Sequence, residues 1–268
     1  MIVLLFAAGV LAANGCTVLE NRQSCPCYLD VDYRPLLAAG LFGDGPGMVD
    51  VAVFMPGLSV RSTHPLASCP DVEEQEIPRD TAQVVALVGN RLPESFPVYG
   101  TEIRYEPGNQ LDSLYVHTGT VDCTGEESVC VLQPLKQFST LTFTDEEDGA
   151  ILRRYNLVVR GTTCGLNAAD LSAIEGPYLY TVQEYDRSGG ISVRIPRQTE
   201  GSLMLDFYDK ETYQRLFTSP IGLYLFDAGY DPAVPQLDDY SLRINFEEAL
   251  VYLRIADWEE ETIYQLFK

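Results

Sequence analysis

Over much of the chain, apolar and polar residues alternate with a period of two, the spacing of strands that bury one face. In YLDVDY at 28–33, Leu29, Val31 and Tyr33 share one side while Asp30 and Asp32 take the other. The same reading gives strands at VDVAVFM (49–55), TAQVVALV (81–88), SLYVHTG (113–119), VCVL (129–132) and FSTLTFT (138–144), all rich in β-branched and aromatic residues. The acidic DEEDG at 145–149 closes on glycine and lacks EF-hand spacing, so it reads as a turn or an inter-domain link. A second series follows: YNLVVRG, ISVRIPR, SLMLDFYD, TYQRLFT, GLYLFD, YSLRINF and LVYLRIADW. Its core faces are read as Leu203, Leu205 and Phe207 in one strand and Val251, Leu253 and Ile255 in another, with DKET at 209–212 as a hairpin turn. LNAADLSAI at 166–174 is the one segment read as a short helix, with Asn167 as its N-cap. Two runs of strands and a break near residue 148 predict an all-β protein: a leader at 1–15, then two antiparallel β-sandwich domains in tandem, at 16–148 and 149–268.

Charge removes one class of partner. With 18 Lys plus Arg against 39 Asp plus Glu, the net charge of -21 repels a phosphate backbone, and no nucleic-acid partner is expected. The leader MIVLLFAAGVLAANG is uncharged and apolar, yet shorter than the roughly 20 residues of a spanning helix. The small residues Ala12, Ala13 and Gly15 precede Cys16, an arrangement similar to the lipobox of bacterial lipoproteins, in which that cysteine is acylated. Cys16 is therefore the expected lipidation site, and its acyl chains the expected link to a membrane. The alternative is a secretory leader cut nearby, with Cys16 an ordinary thiol.

Seven cysteines leave six after Cys16, an even number that suits an oxidising compartment. Cys25 and Cys27 flank Pro26, too tight a spacing to bridge each other, so each needs a distant partner. Cys123 and Cys130 enclose the polar turn TGEESV and are expected to face one another across a hairpin. Cys69 and Cys164 remain as candidate partners for Cys25 and Cys27, although six cysteines allow 15 connectivities. Copper-binding C-P-C pairs lie inside transmembrane helices, so no metal is expected.

Nor is catalysis. His64, in a Pro-flanked loop, and His117, pointing away from Leu114 and Val116, both read as surface residues. H-E-x-x-H, G-x-S-x-G and P-loop motifs are missing, and GDGPG at 43–47 reads as a flexible loop. Among 39 acids some carboxylate pair always exists, so pairing is uninformative. No enzyme activity and no cofactor are expected. Sixteen tyrosines permit a sugar-stacking surface, but Tyr is also a favoured strand residue.

Taken in order, these segments resemble a known family. A lipobox cysteine is followed by CPC (Cys25, Pro26, Cys27) and YLDVDY, then by VAVF with a Gly turn, SLYVHTG and the run VLQPLKQFSTLTF that closes the first domain. Near the end comes YSLRINFEEALVYLRIADW, finishing on Trp258, which looks like the paired last strands of such a protein. The order is similar to that of the fimbrial anchor lipoproteins of Bacteroides-type bacteria, grouped with type V pilus subunits. The resemblance implies two transthyretin-like β-sandwiches, held by lipid in the outer membrane, that attach a fimbrium built of pilin subunits and influence its length or assembly. With ten residues after Trp258, the chain is expected to receive or cap a strand rather than donate one. The rival expectation is a lipid-anchored surface binding module, either a glycan-binding protein or a tip adhesin.

Overall fold

The computed structural model describes residues 25–42, 45, 47–92, 96, 100–145, 155–182, 191–245, 250–255 and 262–265. Cys16, the leader, residues 146–149 of the acidic stretch, Trp258 and the residues after it up to 261 lie outside them. The side chains of the expected face Val251, Leu253 and Ile255 also lie outside.

The alternation read in the sequence becomes two sandwiches of paired sheets. In the first, a three-stranded sheet of order β4 (Val72–Ile77), β1 (Cys27–Asp32), β8 (Glu127–Val131) faces a five-stranded one of order β3 (Leu58–Pro65), β2 (Met48–Met55), β5 (Thr81–Gly89), β7 (Leu114–Asp122), β9 (Leu135–Lys136). Leu29, Val31 and Tyr33, fully buried as the pattern required, meet Val49, Val51, Val53, Val84 and Ala86 from the opposing sheet. Full burial contributes roughly 1.5 to 3 kcal/mol per large apolar side chain. α1 (Arg34–Ala38), begun by a proline in its first turn, plugs one end with Leu36.

The second sandwich pairs the order β12 (Ala173–Thr181), β11 (Tyr155–Asn167), β14 (Met204–Asp209), β15 (Arg215–Ser219) with the order β13 (Ile191–Pro196), β10 (Phe138–Asp145), β16 (Tyr240–Asn245), β17 (Leu250–Ile255), β18 (Thr262–Gln265). Leu203, Leu205 and Phe207 face its core as expected, together with Phe143, Val193 and Leu242. Asp209 accepts backbone N–H bonds from Glu211 and Thr212, so the DKET turn is in place.

Four expectations change. The run at 138–144, read as closing the first domain, is β10, and its ladder partners are β13 and β16. It therefore belongs to the second sandwich, and the chain crosses over at Gln137, ahead of the break placed near 148. GLYLFD is a helix, α2 (Ile221–Asp227): it has no alternation, and Ile221 and Leu225 at helical spacing are buried while Leu223 is 58% exposed. LNAADLSAI is no helix but the end of β11, a turn and the start of β12. The Asn167 side chain accepts the Ala169 N–H at 3.1 Å, and Leu171 takes a left-handed φ of 61°, which breaks a helix. Finally, the sheets are mixed, since β8 runs parallel to β1 and β16 parallel to β10.

The two halves are fastened at three levels. β6 (Glu102–Arg104) leaves the first half to pair with the far end of β11. Around it Ala52, Val85, Leu87, Ile103, Leu166 and Ala168 form a third buried cluster on the outer face of the β2–β5–β7 sheet. At the crossover, Lys136 donates to Asp239 at 2.8 Å and to the Leu237 carbonyl at 3.0 Å, while Arg197 donates to the Lys136 carbonyl at 2.6 Å.

Candidate functional site

The strongest surface feature is the free side of β8. Tyr28 donates its backbone N–H to the Glu126 carbonyl (2.8 Å) and Leu132 donates to the Asp32 carbonyl (3.0 Å), which fixes the phase of the parallel ladder. In that phase the even-numbered residues of β8 bond β1. The amide and carbonyl groups of Glu127, Val129 and Val131 point the other way, where β8 has no second ladder partner among the described residues. Val129 and Val131 are 59% and 40% exposed. They share the outer face with Tyr28 and Val72, interleaved with Asp30, Glu74, Glu76 and Glu127. Natural edges are commonly blunted by Lys, Pro or a covering loop. This one is instead apolar along its strand and acidic around it.

The neighbouring edge is also open. β9 covers only Tyr115 and Val116 of β7, leaving residues 117–122 of β7 with β5 as their one ladder partner among the described residues. β7 and β8, which a hairpin bridge between Cys123 and Cys130 would join, thus lie in opposite sheets with no ladder between them. Of the six described cysteines, Cys25 is exposed, Cys27, Cys123 and Cys130 are buried, and Cys69 and Cys164 are half-buried. Cys130 contacts His117 rather than Cys123, with Sγ 3.6 Å from Nε2.

Neither histidine is a plain surface residue. His64 lies in β3, and its Nε2 meets Glu73 at 3.0 Å, where Tyr33 also donates at 2.8 Å. Burial opposes ionisation of Glu73, but the bonds from His64, Tyr33 and Ser62 hold its carboxyl below the usual range. His117 turns inward, and its Nδ1 accepts the Gln133 N–H at 3.2 Å, leaving the proton on Nε2. A thiol beside an imidazole suggests a nucleophilic dyad. Here burial pushes the Cys130 thiol up to about 11 and the His117 imidazole below its ordinary value, so both stay neutral and no thiolate is activated. A lowered histidine stabilises the fold above the unfolded-state value of roughly 6.5, and that contribution is lost as pH falls. Denaturant midpoints should thus drop between about pH 7 and 5 in the wild type and drop less in His117→Gln; equal slopes would show that His117 is not involved.

A cleft of about 430 Å³ opens where the halves meet, lined by Arg91, Arg104, Tyr105, Asn109, Gln110 and Asp112 among others. Six of the tyrosines go inside: Tyr33, Tyr115, Tyr178, Tyr180, Tyr230 and Tyr240 are all buried. Among the described residues no group of three or more His, Cys, Asp or Glu side chains is placed to hold a metal ion, and no helix is long and apolar enough to cross a membrane.

This all-β fold is similar to that of several solved fimbrial and adhesin proteins from Bacteroides and its relatives. Among solved structures, the fimbrial anchor protein Mfa2 from Porphyromonas gingivalis superposes with a TM-score of 0.55 at 10% identity, over 87% of this chain and 98% of its own. A Bacteroides thetaiotaomicron protein proposed to bind polysaccharide gives 0.66 at 14% identity, over 90% and 99%. An adhesin candidate from Bacteroides ovatus gives 0.56 at 11%, over 89% and 95%. At these identities the likeness is one of fold. No protein-family profile and no curated protein matches the chain.

Proposed function

We propose that this chain is a non-enzymatic fimbrial subunit held at the outer membrane by acyl chains on Cys16, and that it secures the pilus by accepting an extended strand from a pilin subunit. In this reading both sandwiches are transthyretin-like modules and the protein acts at the cell surface. The observation that carries it is the open, apolar edge of β8, and the fold shared with a fimbrial anchor supports it. A strand laid along β8 gains ladder bonds of about 0.5 to 1.5 kcal/mol each, net. Covering Val129, Val131 and their neighbours at roughly 1.5 to 3 kcal/mol each contributes more, so side-chain fit sets the affinity. The surrounding Asp30, Glu74, Glu76 and Glu127 select a partner strand with basic residues at its flanks.

Proline at Val129 tests this directly. The Val129 N–H points away from β1, so Val129→Pro removes a donor from the free edge and spares the β1–β8 ladder. Retention of pili on cells should fall at least tenfold with little change in folding stability, whereas Val129→Ile, which keeps both the N–H and the apolar surface, should retain them. A photo-crosslinker at Val129 should capture a pilin, and one at Leu223 on α2 should not. Normal retention by Val129→Pro would sink the strand-acceptor reading, and unacylated Cys16 in the mature protein would sink the lipid anchor. A second reading, a glycan-binding surface protein, is favoured by the polar cleft at Arg91 and Arg104 and by the likeness to the proposed polysaccharide-binding protein. Its signature is recovery of glycans, and not pilin, with the chain from intact cells.

A further inference from the structure

Cys27 opens β1 and Cys123 directly follows β7, so the two belong to opposite sheets of the first sandwich. Both side chains are completely buried in the same core cluster. The Cys27 thiol lies 3.6 Å from the Ser128 hydroxyl, which itself donates to the Asp122 carbonyl at 2.7 Å. Cys123 is the residue next to Asp122, and its thiol lies near enough to that hydroxyl and to the Cys27 thiol for both to perturb its ionisation. The other cysteines have different company: Cys130 has His117, Cys164 has the Glu175 carbonyl, and Cys25 faces solvent.

We propose that Cys27 and Cys123 form a disulfide that ties the two sheets of the first sandwich together. The oxidant is a disulfide of the glutathione type or an oxidised thiol oxidoreductase. One cysteine loses its proton and its sulfur attacks the oxidant, whose own S–S bond breaks and whose leaving sulfur is protonated. The second cysteine then attacks the mixed disulfide and releases the second thiol. Two protons and two electrons pass from the protein to the oxidant, and one S–S bond replaces two S–H bonds.

Burial pushes the Cys123 thiol up to about 11, so once the core has closed it stays protonated and out of reach at neutral pH. The bond therefore forms before the two sheets dock. Its loop runs from β1 to the end of β7, and long loops gain most from cross-linking. There is also a mechanical consequence, which rests on the anchoring reading. A pull between Cys16 and the pilus enters the sandwich at Cys27, and the bridge passes it into the five-stranded sheet instead of peeling β1 from its ladders.

The test uses the full chain alone, reduced and unfolded, then refolded in a mixture of reduced and oxidised glutathione. After thiol blocking and cleavage with trypsin and a glutamyl protease without reductant, mass spectrometry should find the Cys27 peptide joined to the Cys123 peptide. The link should survive Cys25→Ser and vanish in Cys27→Ser, and reductant should lower the unfolding temperature by about 5 to 15 °C. Blocked free thiols at both positions, or Cys123 joined to Cys25 or Cys130, would overturn the proposal. Cys25 and Cys27 share one peptide, so fragmentation of the linked wild-type peptide assigns the bonded cysteine, and it does so even where a variant fails to fold. No pilus or membrane enters the assay, so its failure leaves the fimbrial reading standing, and the bridge would survive the failure of that reading.

Discussion

Replacing Arg61 with leucine should cost the protein about 3 kcal/mol, two powers of ten in its folding equilibrium. Asp50, in the middle of β2, is completely buried, and Arg61 on β3 grips it with Nε 2.8 Å from Oδ1 and a second bond from Nη2 to Oδ2. Thr63 adds one hydroxyl bond at 3.1 Å. The pair is asymmetric, because the Arg61 side chain is 39% exposed while that of Asp50 is not exposed at all. Without Asp50 the guanidinium can turn to water; without Arg61 a carboxylate stays in the interior with a single hydroxyl for company. Asp50→Asn should therefore destabilise less than Arg61→Leu, and the double variant should recover part of the loss. Urea unfolding checks this ordering. If the two single variants cost the same, burial of the carboxylate is not what the arginine offsets. Asp206, held by Arg160 at 2.6 Å and by Thr218, repeats the device in the second sandwich.

Gly165→Val should come close in size and differ in kind. A Cβ at Gly165 would sit 2.3 Å from the Ile103 carbonyl oxygen and 3.1 Å from the Arg104 Cα, both of them backbone that cannot step aside. The valine expels β6 from β11, which loses its ladder bonds and uncovers Ile103 at an estimated cost of about 3 kcal/mol. The damage falls on the joint, since each sandwich keeps its own core. Calorimetry should show one transition splitting into two, and hydrogen exchange should quicken at 102–104 and 165–167 ahead of the two cores. A single unshifted transition would mean that β6 is not what couples the halves.

How much of this the sequence carried depends on where a strand sits. Interior strands with one buried face, such as β1, β14 and β16, announce themselves by alternation, whereas β2 and β5, buried on both faces, show as short apolar runs. The strands that the pattern missed, β3, β4, β6, β9, β12 and β18, all lie at sheet edges or, for β6, off the main path of its sheet. An edge strand has less to bury: β4 reads VEEQEI, and β12 carries Pro177, which an edge tolerates. α2 deceived because six apolar-rich residues fit a buried strand and a buried helical turn equally well until Pro220 and Gly229 are given weight. The site suffered most. VCVL was visible as a strand, but whether its far side is paired is a property of the whole sandwich, set by β1 nearly a hundred residues earlier in the chain. The turn between Cys123 and Cys130 was illegible for the same reason, since TGEESV turns the chain from one sheet to the other instead of reversing it within one.

The parallel pairing of β10 with β16 has a consequence for the newborn chain. Every strand of the first sandwich has been synthesised by residue 136, whereas β10 must wait for residues 240–245 before its second neighbour exists. The N-terminal half can finish while the C-terminal half is still being made, with one flank of β10 lacking its neighbour throughout. A chaperone that shields single strands would meet this protein at residues 138–145, during that interval.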